Sequence, residues 1–297
     1  PKGLFSVLPG AGREIGNLLV EHPAIKRVGF TGGTETGRTL ARQAAQKLMP
    51  VSLELGGKSP TIVFADADPQ LAIAGILYGM FSSTGQSCIA GSRLFVQRAI
   101  WDIFVPALVK AAQALVVGDP FDPATQVAPL VHFDHRAAVA DHVERALAEG
   151  ATLLCGGRAP TGGVYDAGAY YLPTILSGVT NDARICQEEV FGPVLVVLPF
   201  DDEADVIAQA NDSAYGLACG VWTRDFPRAW RVGRAITTGT VWINTYKQFS
   251  ISTPFGGEKE AGTGREKGRE GIRAWMAQKA LYVDLTGRPH PWARVEG

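Results

Sequence analysis

The chain has two side chains whose type and setting could support covalent chemistry, Cys88 and Glu54. Cys88 lies in Gly85-Gln86-Ser87-Cys88-Ile89-Ala90-Gly91, just past an apolar stretch over residues 69–82 that reads as a helix. A second helix beginning at this point would lower the thiol pKa and leave the thiolate reachable among small residues. Glu54 lies inside the apolar run Val51-Ser52-Leu53-Glu54-Leu55, directly before Gly56-Gly57. In a strand buried on both faces a carboxylate is costly without a task, and desolvation raises its pKa towards the range of a general base. About one strand–helix unit separates the two, so they could meet at the carboxyl ends of strands. The plain alternatives are a structural thiol, which fits Cys155, Cys186 and Cys219, and a Glu54 that faces water from a sheet edge.

Glycine-rich turns come next. Gly10-x-Gly12-x-x-x-Gly16 follows a short apolar run and opens a helical stretch, one residue longer than the usual phosphate-binding spacing. Phe30-Thr31-Gly32-Gly33-Thr34-Glu35-Thr36-Gly37 repeats the strand, glycine pair and helix start. Two such turns so close together favour a dinucleotide, although plain strand-to-helix turns have the same look. A third match, Gly262-x-Gly264-x-x-x-Gly268, follows no strand and reads as a loop without a cofactor role. In Glu188-Glu189-Val190-Phe191-Gly192-Pro193 an acid could receive sugar hydroxyls, the alternative being two solvated loop carboxylates. His132-x-x-His135 has no third ligand near it and reads as helix capping beside Asp134 rather than as a metal pair. Trp222 and Trp242 read as sheet core.

These residues need a framework of alternating strands and helices. Strands are expected at residues 4–8, 28–31, 51–55, 61–64, 94–96, 152–154, 194–198, 218–222 and 240–244. Helices are expected at 13–20, 36–48, 69–82, about 100–115, through Val139, Val143 and Leu147, and at 202–211 and 226–236. Asp68-Pro69 is a capped helix start. The alternation predicts an α/β fold with a mainly parallel sheet. A last short strand at 281–285, ahead of a polar tail holding Pro289, Pro291 and Gly297, could pair with another subunit or be an ordinary edge strand.

Composition narrows the function classes. Apolar residues are 46% of the 297 and charged residues 19%, enough for a sizeable core and too apolar for a disordered chain. Twenty-eight basic against 29 acidic residues, formal net charge −1, argue against nucleic acid and anionic membrane surfaces. No apolar stretch is long enough to span a membrane, and no secretory signal is visible. The four cysteines show no CxxC spacing, which argues against zinc and a disulfide framework and for a cytoplasmic setting.

Taken together the motifs resemble the aldehyde dehydrogenase superfamily. Phe30–Gly37 is similar to its nucleotide loop. Leu53-Glu54-Leu55-Gly56-Gly57-Lys58-Ser59-Pro60 is similar to its glutamate signature, and Gly85-Gln86-Ser87-Cys88 to its cysteine signature. Glu188–Pro193, Asn211–Leu217, Gly239–Asn244 and Pro254-Phe255-Gly256-Gly257 continue the family order. The resemblance implies Cys88 as nucleophile and Glu54 as the base for hydrolysis. It implies Glu189 on the nicotinamide ribose, Phe191 beside the cofactor, and Gly12, Thr31, Gly32, Gly33 and Thr34 along an NAD or NADP cleft. The family often has Ser where Gly33 stands, so backbone must serve there. The implied reaction is oxidation of an aldehyde to a carboxylic acid through a cysteine thioester, in a homodimer or homotetramer. Acyl transfer to coenzyme A, a cofactor-independent thiol hydrolase and a truncated non-catalytic assembly module are the alternatives.

The implied organisation is a partial Rossmann-type cofactor domain at residues 1–56, a catalytic α/β domain at 57–259, a return to the cofactor domain at 260–280, and an oligomerisation strand and tail at 281–297. The chain starts at Pro1 with an apolar run that has nothing before it to pair with. An upstream segment is therefore expected, and the family resemblance implies that it carries a Lys for the adenosine ribose and an Asn for the oxyanion hole. Neither has a counterpart here, and the asparagine of Trp242-Ile243-Asn244 belongs to another motif. On this reading the chain alone binds cofactor poorly or is inactive. Phe81, Phe249 and Ile89 are expected to shape an apolar pocket mouth.

Overall fold

Period-two alternation in three apolar runs builds the centre of the molecule. The computed structural model describes residues 1–288, 290 and 292. The strands before the core are β1 (Val28–Thr31) and β2 (Val51–Glu54). The core strands are β3 (Pro60–Val63), β4 (Arg93–Gln97), β5 (Thr152–Cys155), β6 (Thr174–Ser177) and β7 (Val194–Phe200). Four shorter strands and one longer one follow: β8 (Tyr215–Gly216), β9 (Ala218–Trp222), β10 (Thr240–Ile243), β11 (Glu258–Lys259) and β12 (Gly262–Thr263). The order β10-β9-β3-β4-β7-β6-β5 forms a seven-stranded sheet, parallel except for the β5–β6 pair.

Ile62, Phe95, Val196 and Leu198 face one side of this sheet, and Val63, Leu94, Val96, Leu195 and Val197 face the other. Both sides are buried, as a parallel sheet requires. The helices are α1 (Asn17–Glu21), α2 (Thr34–Gln46), α3 (Pro69–Phe81), α4 (Trp101–Gln113), α5 (Phe133–Ala148), α6 (Arg184–Gln187), α7 (Glu203–Asn211), α8 (Phe226–Ala235) and α9 (Gly268–Arg273). Helix α5 covers the first side through Val139 and Val143, with α7 and α8 beside it through Val206 and Val232. Helices α3 and α4 cover the second through Ile76, Met80, Phe104 and Leu108. The architecture is α/β with a mainly parallel sheet, as the alternation predicts. Trp222 and Trp242 are core, as expected.

The helix starts follow their sequence signals. The Asp68 carboxylate accepts from Gln70 N and Leu71 N at 3.1 and 3.2 Å, with Pro69 opening the helix. His132 caps α5 by accepting from His135 N at 3.0 Å, the role read for this pair instead of metal binding. Among the described residues no cluster of three His, Cys, Asp or Glu could hold a metal ion, and no helix is long and apolar enough to cross a membrane.

A smaller sheet, β1-β2-β12, stands beside the large one. Strands β1 and β2 are parallel, with Thr31 opposite Glu54. After the large sheet the chain returns, and β12 pairs antiparallel with β2, with Gly262 opposite Glu54. In the supposed loop at 262–268, Gly262 and Thr263 thus form a strand and Gly268 opens α9, with 264–267 connecting them.

Two expected strands do not form. Residues 4–8 pair with nothing, and Leu4, Phe5, Val7 and Leu8 are exposed. Residues 281–285 likewise form no ladder, and Leu281, Tyr282, Val283 and Leu285 are exposed. An apolar run becomes a strand only where a neighbour supplies its hydrogen bonds. Of the expected tail, Pro289, Pro291 and Gly297 lie outside the described residues. The helix expected at 13–20 is a π-helical turn at Gly12–Gly16 followed by the short α1.

Candidate active site

A cavity of about 560 Å³ opens where the two sheets face each other. Thr31, Gly32 and Gly33 line it from the turn between β1 and α2, and Glu54, Leu55 and Gly56 from the end of β2. Gln86, Ser87 and Cys88 come from the loop ahead of β4, and Glu189 and Phe191 from the segment after α6. Seven sequence-predicted site residues, Cys88, Glu54, Thr31, Gly32, Gly33, Glu189 and Phe191, therefore share one space. Cys88 and Glu54 do not meet at the carboxyl ends of one sheet. Glu54 ends a strand of the small sheet, while Cys88 precedes a strand of the large one.

Gly12 is not brought to this cavity. It sits exposed in the π-helical turn, with open space around its Cα, because the strand expected before it never forms. Thr34 opens α2 beside Gly33 and does not line the cavity. Phe81, Phe249 and Ile89 do not form its mouth either. Phe81 is buried at the end of α3, Ile89 packs with Trp242 and Tyr246, and Phe249 meets Trp242 and Phe255 edge to face.

No helix starts at Cys88. The residue lies in a turn closed by Ala90 N donating to Ser87 O at 2.9 Å. The expected lowering of its pKa is absent. Burial pushes the thiol up, and the nearby carboxylates of Glu189 and Glu54 push in the same direction. The backbone N–H groups of Cys88 and Ile89 face the sulfur and work the other way. The loop is held from three sides. Thr84 Oγ1 donates to Ala128 O at 2.8 Å, Gln86 Oε1 accepts from Val131 N at 2.9 Å, and Tyr246 Oη donates to Ile89 O at 3.0 Å. Cys155, Cys186 and Cys219 are buried free thiols.

Glu54 is 4% exposed, and neither carboxylate oxygen has a hydrogen-bond partner. Burial raises its pKa to about 7, with the charge of Glu266 adding to the rise and Arg265 and Lys267 opposing it. Glu266 is a contributor that the sequence did not reveal, because the turn after β12 brings it in.

The two acids of the Glu188-Glu189 pair part company. Glu188 turns outward to Arg184 at 2.9 Å. Glu189 turns inward, and its Oε1 accepts from Gly57 N at 3.1 Å. Burial raises the Glu189 pKa, opposed by the Gly57 N–H and by Lys58. Two glycines permit this meeting. A Cβ on Gly56 would collide with the Glu189 carboxylate, and one on Gly57 with the Cys88 carbonyl oxygen. Phe191 has a left-handed φ of 54°, and His135 Nε2 donates to its carbonyl oxygen at 2.7 Å.

Two buried cations were not singled out from sequence. Lys58 is buried, which lowers its pKa to about 8. The Arg93 guanidinium donates to Lys58 O at 2.8 Å, Asn181 Oδ1 at 2.9 Å and Ala210 O at 2.9 Å, tying the start of β4 to the segment ahead of β3 and to the end of α7. The signal available was a charged residue inside an otherwise apolar or small-residue run.

Comparison with known proteins adds independent findings. Residues 1–281 match the aldehyde dehydrogenase family. The chain is 46% identical over 285 residues to a betaine aldehyde dehydrogenase of Sinorhizobium fredii, and 47% identical over the same length to one of Rhizobium johnstonii. Each alignment covers 96% of this chain and 58% of the relative, so the chain spans a little over half the length of these curated proteins. Among solved structures, the NAD⁺ complex of Staphylococcus aureus betaine aldehyde dehydrogenase superposes with a TM-score of 0.93 at 39% identity, covering 96% of this chain and 57% of that one. The NAD⁺ complex of a Bacillus cereus aldehyde dehydrogenase gives 0.90 at 42% identity, covering 94% and 56%.

Proposed function

The chain belongs to the aldehyde dehydrogenase family, and we propose that the protein containing it oxidises an aldehyde to a carboxylic acid through a thioester on Cys88, with NAD or NADP as cofactor. The observation that carries this reading is the meeting of Cys88, the unpartnered Glu54 and the Thr31-Gly32-Gly33 turn in one cavity.

The residues present fit the cofactor. The first turn of α2 has no side-chain cap, so its N–H groups and the positive end of the helix are free for a phosphate. Gly33 has open space about its Cα, which lets a ligand approach the backbone. Glu189 is anchored through Oε1 on Gly57, which leaves Oε2 for ribose hydroxyls, with Phe191 alongside. When bound there, a nicotinamide supplies the hydride acceptor.

Cys88 first releases its proton to water, and the thiolate then adds to the aldehyde carbon as the carbonyl π pair moves to oxygen. The Cys88 backbone N–H is the candidate donor to that oxyanion. When the carbon–oxygen double bond re-forms, the hydrogen leaves with its bonding pair and Cys88 carries a thioester. Glu54 then takes a proton from water. The resulting hydroxide attacks the thioester and expels the Cys88 thiolate, leaving the acid. Glu54 suits this step because its pKa near 7 matches neutral pH and no other group engages its oxygens. Water, rather than coenzyme A, is the acyl acceptor in this account.

The proposal includes a cofactor domain of residues 1–56 and 260–280 around a catalytic domain of 57–259, supported by the return of β12 to β2. It also includes a cytoplasmic setting, supported by the four free thiols, and a homodimer or homotetramer, supported by the exposed, unladdered apolar residues at 281–285. Cys88→Ala in the full-length protein tests the reading. With aldehyde and NAD⁺ or NADP⁺ the reduced-nicotinamide absorbance should not grow, whereas sustained turnover would remove Cys88 from the reaction.

A further inference from the structure

Lys247 brings a positive charge to the end of α3, near enough to Cys88 for the two charges to interact. It follows Tyr246, whose hydroxyl is bonded to the Ile89 carbonyl one residue past Cys88. A left-handed φ of 54° turns the chain there. The ammonium donates to Ser82 Oγ at 2.8 Å, and it lies 5.8 Å from the centre of the Tyr78 ring. Among the described residues no carboxylate pairs with it. Burial disfavours its charge, and the Cys88 thiolate is the charge that favours it.

Stereochemistry gives this ammonium a use. A carbon attached to Cys88 Sγ carries an oxygen, a hydrogen and the rest of the substrate. The hydrogen must face the cavity lined by Thr31, Gly33 and Glu189 for hydride to leave in that direction. The rest of the substrate then points away, towards the end of α3 and the segment after β10, where Lys247 and Ser82 meet. We propose that Lys247 is a specificity-determining residue that selects aldehydes bearing a carboxylate at the far end, the semialdehydes of dicarboxylic acids. A half-buried ammonium without a counter-ion attracts such a carboxylate, and it repels a quaternary ammonium such as that of betaine aldehyde. It also occupies the Tyr78 face that a ligand cation would otherwise use. This inference rests on the oxidation reading above and sets its substrate class apart from the one for which the bacterial relatives are named.

Two measurements test it. In the full-length protein, kcat/KM is compared for succinate semialdehyde, butanal and betaine aldehyde. The semialdehyde should be preferred over both, and its ratio to butanal should fall roughly tenfold in Lys247→Gln and be retained in Lys247→Arg. Turnover without that preference, or with betaine aldehyde preferred, overturns the proposal alone. No turnover of any of the three overturns the oxidation reading and the proposal with it. The second measurement needs no turnover: the rate of Cys88 alkylation by anionic iodoacetate is divided by that for neutral iodoacetamide. The quotient should fall at least about threefold in Lys247→Gln, and an unchanged quotient overturns the proposal.

Discussion

Glu189 Oε1 accepts the backbone N–H of Gly57 at 3.1 Å, and this bond holds the loop of one sheet against that of the other. On its other side Gly57 touches the carbonyl of Cys88 so closely that no side chain fits between them. The acid offered to the ribose and the thiol offered to the aldehyde are thus separated by a single glycine. Their spacing is set by backbone rather than by flexible side chains.

Gly57→Ala should therefore damage the site more than its size suggests. The new methyl meets a main-chain oxygen, which cannot rotate away, and the loss should be about 1–3 kcal/mol of stability. Chemical denaturation measures it, and a variant as stable as the parent would show that the loops can separate.

Glu54→Gln should stabilise the fold in a pH-dependent way. The folded pKa is raised from 4.5 to about 7. Ionised Glu54 therefore costs stability, with little cost below the unfolded pKa, a growing cost between pH 4.5 and 7, and the full cost above. The amide removes that cost, worth up to about 3 kcal/mol at pH 8. The gap in melting temperature between variant and parent should widen from pH 5 to pH 7 and then level off. A constant gap would mean that Glu54 is solvated.

Glu189→Gln should lower the Cys88 pKa, because the Glu189 charge is the largest electrostatic contribution raising it after burial. The pH profile of Cys88 alkylation should move to lower pH. A profile that stays in place would separate the two groups.

Arg93→Ala should be among the most damaging changes in the chain. It leaves the Lys58 and Ala210 carbonyls and the Asn181 side chain without their donors in the core. A loss of about 3 kcal/mol or more is expected, read by urea unfolding.

The framework was legible because it rests on local patterns. The continuous apolar run at 194–198 and the Asp68-Pro69 start both survive folding, since the sheet buries both faces and the cap is made within three residues. Residues 4–8 and 281–285 failed because a strand needs a partner that sequence does not display. Glu54 was legible as a carboxylate out of place in an apolar run and Cys88 by its small-residue surroundings, whereas the role of Glu189 came from the family resemblance. What sequence could not give was the field between them. Cys88 was expected at a helix start that would lower its pKa, and it lies instead in a turn facing two carboxylates that raise it. Gly12 was misplaced for the same reason as its strand. Lys58 and Arg93 escaped notice because their partners are distant carbonyls and carboxylates.

The division of labour between positions 88 and 54 is tested most directly by intact-mass spectrometry of the full-length Glu54→Gln protein mixed with aldehyde and oxidised nicotinamide cofactor. The account predicts a single acyl group on Cys88 in nearly every molecule, formed with one equivalent of reduced cofactor and lost only slowly. Rapid repeated turnover with no adduct on that cysteine would contradict it.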